Sequence, residues 1–187
     1  MVTTATTEPA GSKPLPATVK VWDLFVRIFH WSLVVLVTIA ILTGDQVEWV
    51  HLWAGYVIAT FVAMRIIWGF VGSENGQFSS FVTGPRAVIT FLKQSAQLRA
   101  PRYLGHNPAG GWMVIAMLVV LSALCVTGIA MTTDAYWGSK TLEEIHETLA
   151  NILLGLIALH ILGVIVASLE HAENLVWAMI TGRKRAH

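Results

Sequence analysis

The amino-acid sequence predicts an all-α membrane protein, a bundle of four transmembrane helices. Hydrophobic residues make up 55% of the 187 residues and charged residues 12%, with a mean hydropathy of +0.65. Soluble domains carry about twice that charged fraction. Four apolar runs stand out at 24–43, 49–71, 112–132 and 145–169, each long enough to cross roughly 30 Å of hydrocarbon. Lysine and arginine fall almost wholly on one side of these runs. The formal net charge of +1 says little by itself; the expected partner is the lipid bilayer, and no nucleic acid is expected.

Residues 1–19, rich in Thr, Ala and Pro, read as a disordered tail, and residues 20–185 as one transmembrane domain. The first apolar run lacks the charged n-region of a signal peptide and is too long for an h-region, so it is expected to stay as a membrane helix. The single cysteine, Cys125, lies inside an apolar run. It excludes an intrachain disulfide, a CxxCH haem attachment and a cluster held by cysteines of this chain alone. Its plain reading is a small buried hydrophobe.

Four spans put both termini on one side. Lys13, Lys20, Arg27, Arg86, Lys93, Arg99, Arg102, Arg183, Lys184 and Arg185 lie on that side, with Arg65 toward the end of the second span. The opposite side holds only Lys140 against Asp45, Glu48, Asp134, Glu143 and Glu144. Positive-inside bias places both termini in the cytoplasm. The eight tryptophans cluster near span ends, as an interfacial belt would. Between spans two and three, PRAVITFLKQSAQLR (85–99) predicts a short helix on the interface, with Pro85 at its first position and Val88, Ile89, Phe91 and Leu92 on one apolar side. Residues 170–182 predict a second surface helix before the basic end.

The chemistry lies in the histidines. His146 and His160 are fourteen residues apart in the fourth run, which leaves them within roughly 40° on one helix face and about 21 Å apart along the axis. Ionisable side chains inside a span are rare and point to function. Depth sorts the span histidines into two pairs: His51 with His146 on the outer side, His30 with His160 on the cytoplasmic side. Two histidines without a Cys or carboxylate set make a poor zinc site, and His146–Glu147 does not extend to HExxH. Haem needs one or two axial ligands and a flat apolar slot, which a helix bundle provides. Two histidines fill both axial positions, which favours outer-sphere electron transfer over oxygen binding. Arg27, one turn before His30, and Arg65 are candidate partners for haem propionates; the alternative for each is a snorkelling interfacial arginine. His106, His171 and His187 fall outside the spans and are expected to be solvated.

VWDLFVRIFHW (21–31), the histidine opening the second span, GHNPAGGW (105–112) and HETLAN followed by LH in the fourth resemble the bacterial cytochrome b-561 and nickel-hydrogenase cytochrome b family. The resemblance covers about residues 20–185 and extends to the membrane subunit of formate dehydrogenase. It implies a four-helix bundle holding two b haems, ligated by His30 with His160 and by His51 with His146. From the formate dehydrogenase relatives it also implies a quinone near the cytoplasmic haem, at Asn107 to Gly110; the alternative there is a cap and turn opening the third span. His106 beside it is a candidate for proton uptake.

The expected function is electron transfer between a periplasmic redox partner, such as a c-type cytochrome or an oxidoreductase subunit, and the quinone pool, with the acidic outer loops as the docking face. The alternative is a stand-alone enzyme that oxidises superoxide and reduces quinone. A homodimer is compatible with either.

Overall fold

Asp23 sets the start of the first span. Its backbone is extended (φ −71°, ψ 166°) and its carboxylate accepts from the Val26 N–H at 2.8 Å, an N-cap for helix α1 (Leu24–Thr43). The structure, a computed structural model, describes residues 17–44 and 46–186. Helix α2 (Glu48–Val71) follows, then a 3-10 turn at Glu74–Gly76, the one-turn α3 (Phe78–Phe81) and α4 (Pro85–Ser95). The last long helices are α5 (Pro108–Met131) and α6 (Lys140–Glu170), and the short α7 (Leu175–Thr181) lies near the C-terminus.

The four long helices are each long and apolar enough to cross a membrane. At most 28% of the most apolar stretch of any one of them is buried within the protein, so most of their hydrocarbon faces outward, as a lipid-facing bundle requires. Two helices run further than the apolar runs predict. Asn107 accepts from the Gly110 N–H at 2.7 Å and Pro108 takes the first turn, so α5 starts before the apolar run does. Ser139 caps α6 at Leu142, and its first turn is polar. Hydropathy marks the hydrocarbon, whereas caps mark the helix.

Helix α1 packs on α2, α2 on α5, and α5 on α6. Phe29, Ile58, Val62, Leu118, Leu121 and Leu153 form the buried core between them. Helix α6 makes no extended backbone contact with α1 or α2 among the described residues. It faces them across a gap bridged by side chains.

One end of the bundle, the basic end, carries both termini. There β1 (Thr18–Lys20) pairs antiparallel with β2 (Arg183–Arg185), Val19 opposite Lys184. The predicted tail is described only from residue 17 onward, and its last residues, Thr18 and Val19, are in this strand. Gly182 turns the chain from α7 into β2 at φ +78°; a Cβ there would also stand 2.7 Å from the Trp22 carbonyl oxygen. Helix α4 is held to the bundle: Glu170 at the end of α6 accepts from the Ala100 N–H at 2.6 Å and the Ser95 hydroxyl at 3.2 Å.

The tryptophan belt needs one correction. Trp49, Trp53, Trp112, Trp137 and Trp177 are exposed, but Trp22 is buried beneath the terminal strands. Lys184 lies 5.8 Å over its ring. Asp45 of the expected acidic loop and His187 lie outside the described residues. Glu48, Asp134, Glu143 and Glu144 are exposed at the end opposite the termini.

Candidate functional site

The structure brings the span histidines together in the two pairs expected from depth. The His30 and His160 ring centroids are 6.2 Å apart, with 53° between planes, and bridge α1 to α6 near the basic end. His51 and His146 are 6.1 Å apart at 73° and bridge α2 to α6 near the opposite end. In both pairs α6 is the common partner, and each pair spans a gap that the helix backbones do not close.

The pair at the end opposite the termini is oriented by the bundle. His51 Nδ1 lies 2.9 Å from the Ala40 carbonyl oxygen on α1. A carbonyl only accepts, so Nδ1 carries the proton and Nε2 is the free nitrogen. His146 Nδ1 lies 2.8 Å from the Thr127 hydroxyl, whose own proton is directed to the Ala123 and Leu124 carbonyls at 2.9 and 3.1 Å. The hydroxyl therefore accepts from His146, which again leaves Nε2 free. Gly128 lets the ring lie close against α5, since a Cβ there would be 3.3 Å from His146 Cε1.

The pair at the basic end sits in a different setting. His30 Nδ1 is buried without a hydrogen-bond partner, and the Trp31 ring stands edge-on to His30 at 5.2 Å. Arg65 is only 2% exposed, which removes the snorkelling alternative. Its guanidinium lies 5.2 Å over the Phe78 ring and its Nη1 is buried without a partner. Arg27 donates through Nη2 to the Ile180 carbonyl, while its Nε is buried and unpartnered.

His106 departs from expectation. Its ring packs against Trp22 at 4.7 Å and Phe81 at 4.5 Å, and its Nδ1 is buried without a partner. Burial first, then the positive charges of Arg65, Lys184 and His160, push its pKa down to about 3. Only its place in GHNPAGGW singles it out in the sequence; the tertiary contacts that bury it come from residues 22 and 81. His171, by contrast, ends α6 with its carbonyl accepting from Arg185 at 2.9 Å.

Asn107 and Gly110 are engaged with each other in the α5 cap. A hollow of about 290 Å³ lined by Arg86, Thr90, Phe91, Gln94, Tyr103 and Pro108 opens beside that cap. No group of three or more His, Cys, Asp or Glu able to hold a metal ion occurs among the described residues. The site chemistry of the long helices is that of paired imidazoles.

Residues 21–182 match the family described as Prokaryotic cytochrome b561. The chain belongs to that family. Similar proteins include one from Bradyrhizobium diazoefficiens, 25% identical over 226 aligned positions that cover 97% of this chain and 90% of the relative. Another, from Rhodobacter capsulatus, is 23% identical and covers 96% of this chain and 86% of itself. A third, from Rhizobium leguminosarum bv. viciae, is 21% identical, with 89% of this chain and 88% of the relative covered. All three are named probable Ni/Fe-hydrogenase B-type cytochrome subunits. No solved structure matches the chain. Family membership and the four apolar helices make this a multi-pass bacterial membrane cytochrome of the b type, with haem b as the cofactor and membrane electron transfer as the work.

Proposed function

We propose that the chain carries electrons across the membrane through two b haems, one held by His30 and His160 and one by His51 and His146. The observation that carries this reading is the pair of imidazole separations, 6.2 and 6.1 Å. Two imidazoles gripping one metal from opposite sides, with bonds of about 2 Å and about 1 Å from each nitrogen to its ring centre, stand roughly 6 Å apart. The donor sets therefore fit bis-histidine ligation.

Held by these histidines, haem b would supply a one-electron couple. The chain's own residues do the rest. Ala40 and Thr127 fix the tautomers of His51 and His146, presenting Nε2 toward the gap. Arg27 and Arg65 offer unpartnered N–H groups at the basic end, suited to haem propionates. Outward-facing aliphatic side chains keep water from the gaps and set the low dielectric that tunes the potentials.

The basic end faces the cytoplasm by positive-inside bias, and a quinone meets the chain there. The hollow beside the α5 cap, with Phe91 and Tyr103 as ring partners and Thr90, Gln94 and Arg86 as hydrogen-bonding groups, supports that placement. The cap engages Asn107 Oδ1 and the Gly110 N–H, so Asn107 would meet the quinone through its side-chain amide nitrogen. At the opposite end, exposed Glu48, Asp134, Glu143 and Glu144 offer a basic-faced periplasmic partner, a c-type cytochrome or an oxidoreductase subunit, an electrostatic docking surface. The relatives' hydrogenase names support a redox enzyme as that partner.

A second reading, a stand-alone quinone reductase oxidising superoxide, draws on the alignment. It runs over 226 positions against 187 residues here, so the hydrogenase relative carries residues that this chain lacks. Turnover by the isolated chain would favour that reading; a stoichiometric periplasmic partner on purification favours the first.

The test of ligation is spectroscopic. The purified protein is expected to hold two low-spin b haems, and His160→Ala to lose one of them while the other keeps its spectrum. Unchanged spectra in that variant would remove His160 from the ligand set.

A further inference from the structure

The basic end of the bundle has more buried hydrogen-bonding donors than the chain satisfies. Among the described residues, six side-chain atoms are buried without a partner: Arg27 Nε, His30 Nδ1, Trp31 Nε1, Arg65 Nη1, Thr83 Oγ1 and His106 Nδ1. All six lie at that end. Two of them come from separate segments that meet at one aromatic pair. Arg65, on α2, lies over Phe78; His106, just before α5, packs on Phe81. The Phe78 and Phe81 rings are 5.9 Å apart, so Arg65 and His106 flank one aromatic pair. Both are within electrostatic reach of each other, and His106 of His160 as well.

Among the described residues, no carboxylate hydrogen-bonds to Arg65 or His106. The one ion pair among the described residues is Arg102–Glu173. Asp23, the carboxylate whose charge Arg65 feels, has its oxygens engaged by the Val26 N–H, the Trp68 indole and the Ser73 hydroxyl. Arg65 is 2% exposed and keeps an N–H unpartnered, with the nearest counter-charge already engaged elsewhere, which is strongly disfavoured, so an anion from outside the chain should complete the site. A guanidinium and an imidazole N–H set on the two rings of one aromatic pair suit a carboxylate, which takes a charge-assisted hydrogen bond from the first and an N–H bond from the second.

We propose that Arg65 and His106 form a cradle for a carboxylate of the haem held by His30 and His160, with His106 as a further cofactor-binding residue. The inference rests on the reading of His30 and His160 as ligands. It adds a residue from a loop that ligation does not use. Arg65 supplies the charge. His106 supplies a neutral N–H donor clamped by two aromatic rings, which fixes where the carboxylate lies. Lys184, whose Nζ donates to the Tyr103 carbonyl at 3.1 Å, adds positive potential behind Trp22.

The experiment uses the full-length holoprotein and follows haem transfer to excess apomyoglobin, together with a redox titration. Arg65→Gln and His106→Phe are each expected to speed the loss of one of the two haems by about tenfold, the loss of one charge-assisted hydrogen bond. The potential of that haem is expected to fall in Arg65→Gln, because a cation that favours the added electron is gone. His106→Gln, which keeps an N–H donor, should stay within about twofold of the unsubstituted chain. With haem carrying 13C at its carboxylates, a redox-linked infrared band of the labelled group should move in Arg65→Gln.

The unchanged second haem reports that the variants are folded, and Arg65→Lys, which keeps the charge, guards against a packing effect. Haem loss and potential within twofold of the unsubstituted chain in both variants would overturn the proposal. So would weakened binding of a quinone analogue with haem retention unaltered, which would give the cradle to the quinone. Failure of the ligation reading looks different: His160→Ala would keep both low-spin centres.

Discussion

A histidine in a bundle becomes a usable ligand only when something decides which nitrogen is free. At the outer pair that decision belongs to Ala40 and Thr127. Thr127 is the more informative partner because it is a side chain and can be removed. Thr127→Val keeps the shape and deletes the acceptor for His146 Nδ1. The ring then loses its orienting bond, and affinity for the outer haem is expected to drop by about tenfold or more. Haem transfer to apomyoglobin measures it, with the inner haem as the unchanged reference; equal rates for both haems before and after would show that Thr127 does not orient the ligand. The four histidines were legible in the sequence because ionisable residues in apolar runs announce themselves and depth pairs them. Thr127 was not, and His106 was legible only as a candidate for proton uptake beside Asn107. A threonine within a span reads as a helix-satisfied hydroxyl, and His106 reads as a loop residue until Trp22 and Phe81 are seen to enclose it. Arg65 was legible as a cation near a span end, but its burial depends on Phe78, which comes from the next element.

Elements at the basic end are joined by polar groups rather than by a core. Glu173, after α6, accepts from Arg102 Nη2 at 2.9 Å and Nε at 3.3 Å, and from the Arg185 N–H of β2 at 3.1 Å. Burial raises the Glu173 pKa, but the hydrogen bonds from Arg102 and Arg185, with the charges of Arg102 and Lys184, outweigh it and hold the pKa below the ordinary 4.5. A carboxylate with a depressed folded pKa stabilises the folded state fully above 4.5, and that contribution fades as pH falls through the folded value. Hydrogen exchange over 173–186 is therefore expected to be slow at neutral pH and to quicken, relative to intrinsic rates, in acid below pH 4.5. Glu173→Gln should show the quickened exchange already at neutral pH, by about 1–2 kcal/mol of local opening free energy given the partly exposed Arg102. A variant as protected as the unsubstituted chain would mean that the strands, not the ion pair, hold the termini. The sequence foretold the helices here by Pro85 and by apolar spacing. It did not foretell the β1–β2 pairing, because three-residue strands at opposite ends of a chain leave no periodic trace.

On the scale of the whole molecule, the fold is a device for holding two imidazole pairs at two depths. The spans were readable because hydropathy alone sets them, and only their starts moved once caps were seen. What converts the fold into a transmembrane wire is orientation, and orientation follows from charge. Lys20, Arg86, Lys93, Arg99, Arg102, Arg183, Lys184 and Arg185 share the basic end, whereas Lys140 stands alone among acids at the other. Retaining that basic end in the cytoplasm is the expected outcome of insertion. In a Cys125→Ser background, Ala135→Cys on the acidic side should react with a membrane-impermeant maleimide added to spheroplasts. Gln97→Cys, exposed after α4, should react only after the membrane is ruptured. The reverse pattern would put His51 and His146 next to the cytoplasm and the hollow beside Pro108 outside. A periplasmic partner docking on acidic loops and a quinone meeting the basic end would then both be excluded, even with two haems in place. Labelling thus tests the direction of the wire independently of its ligands.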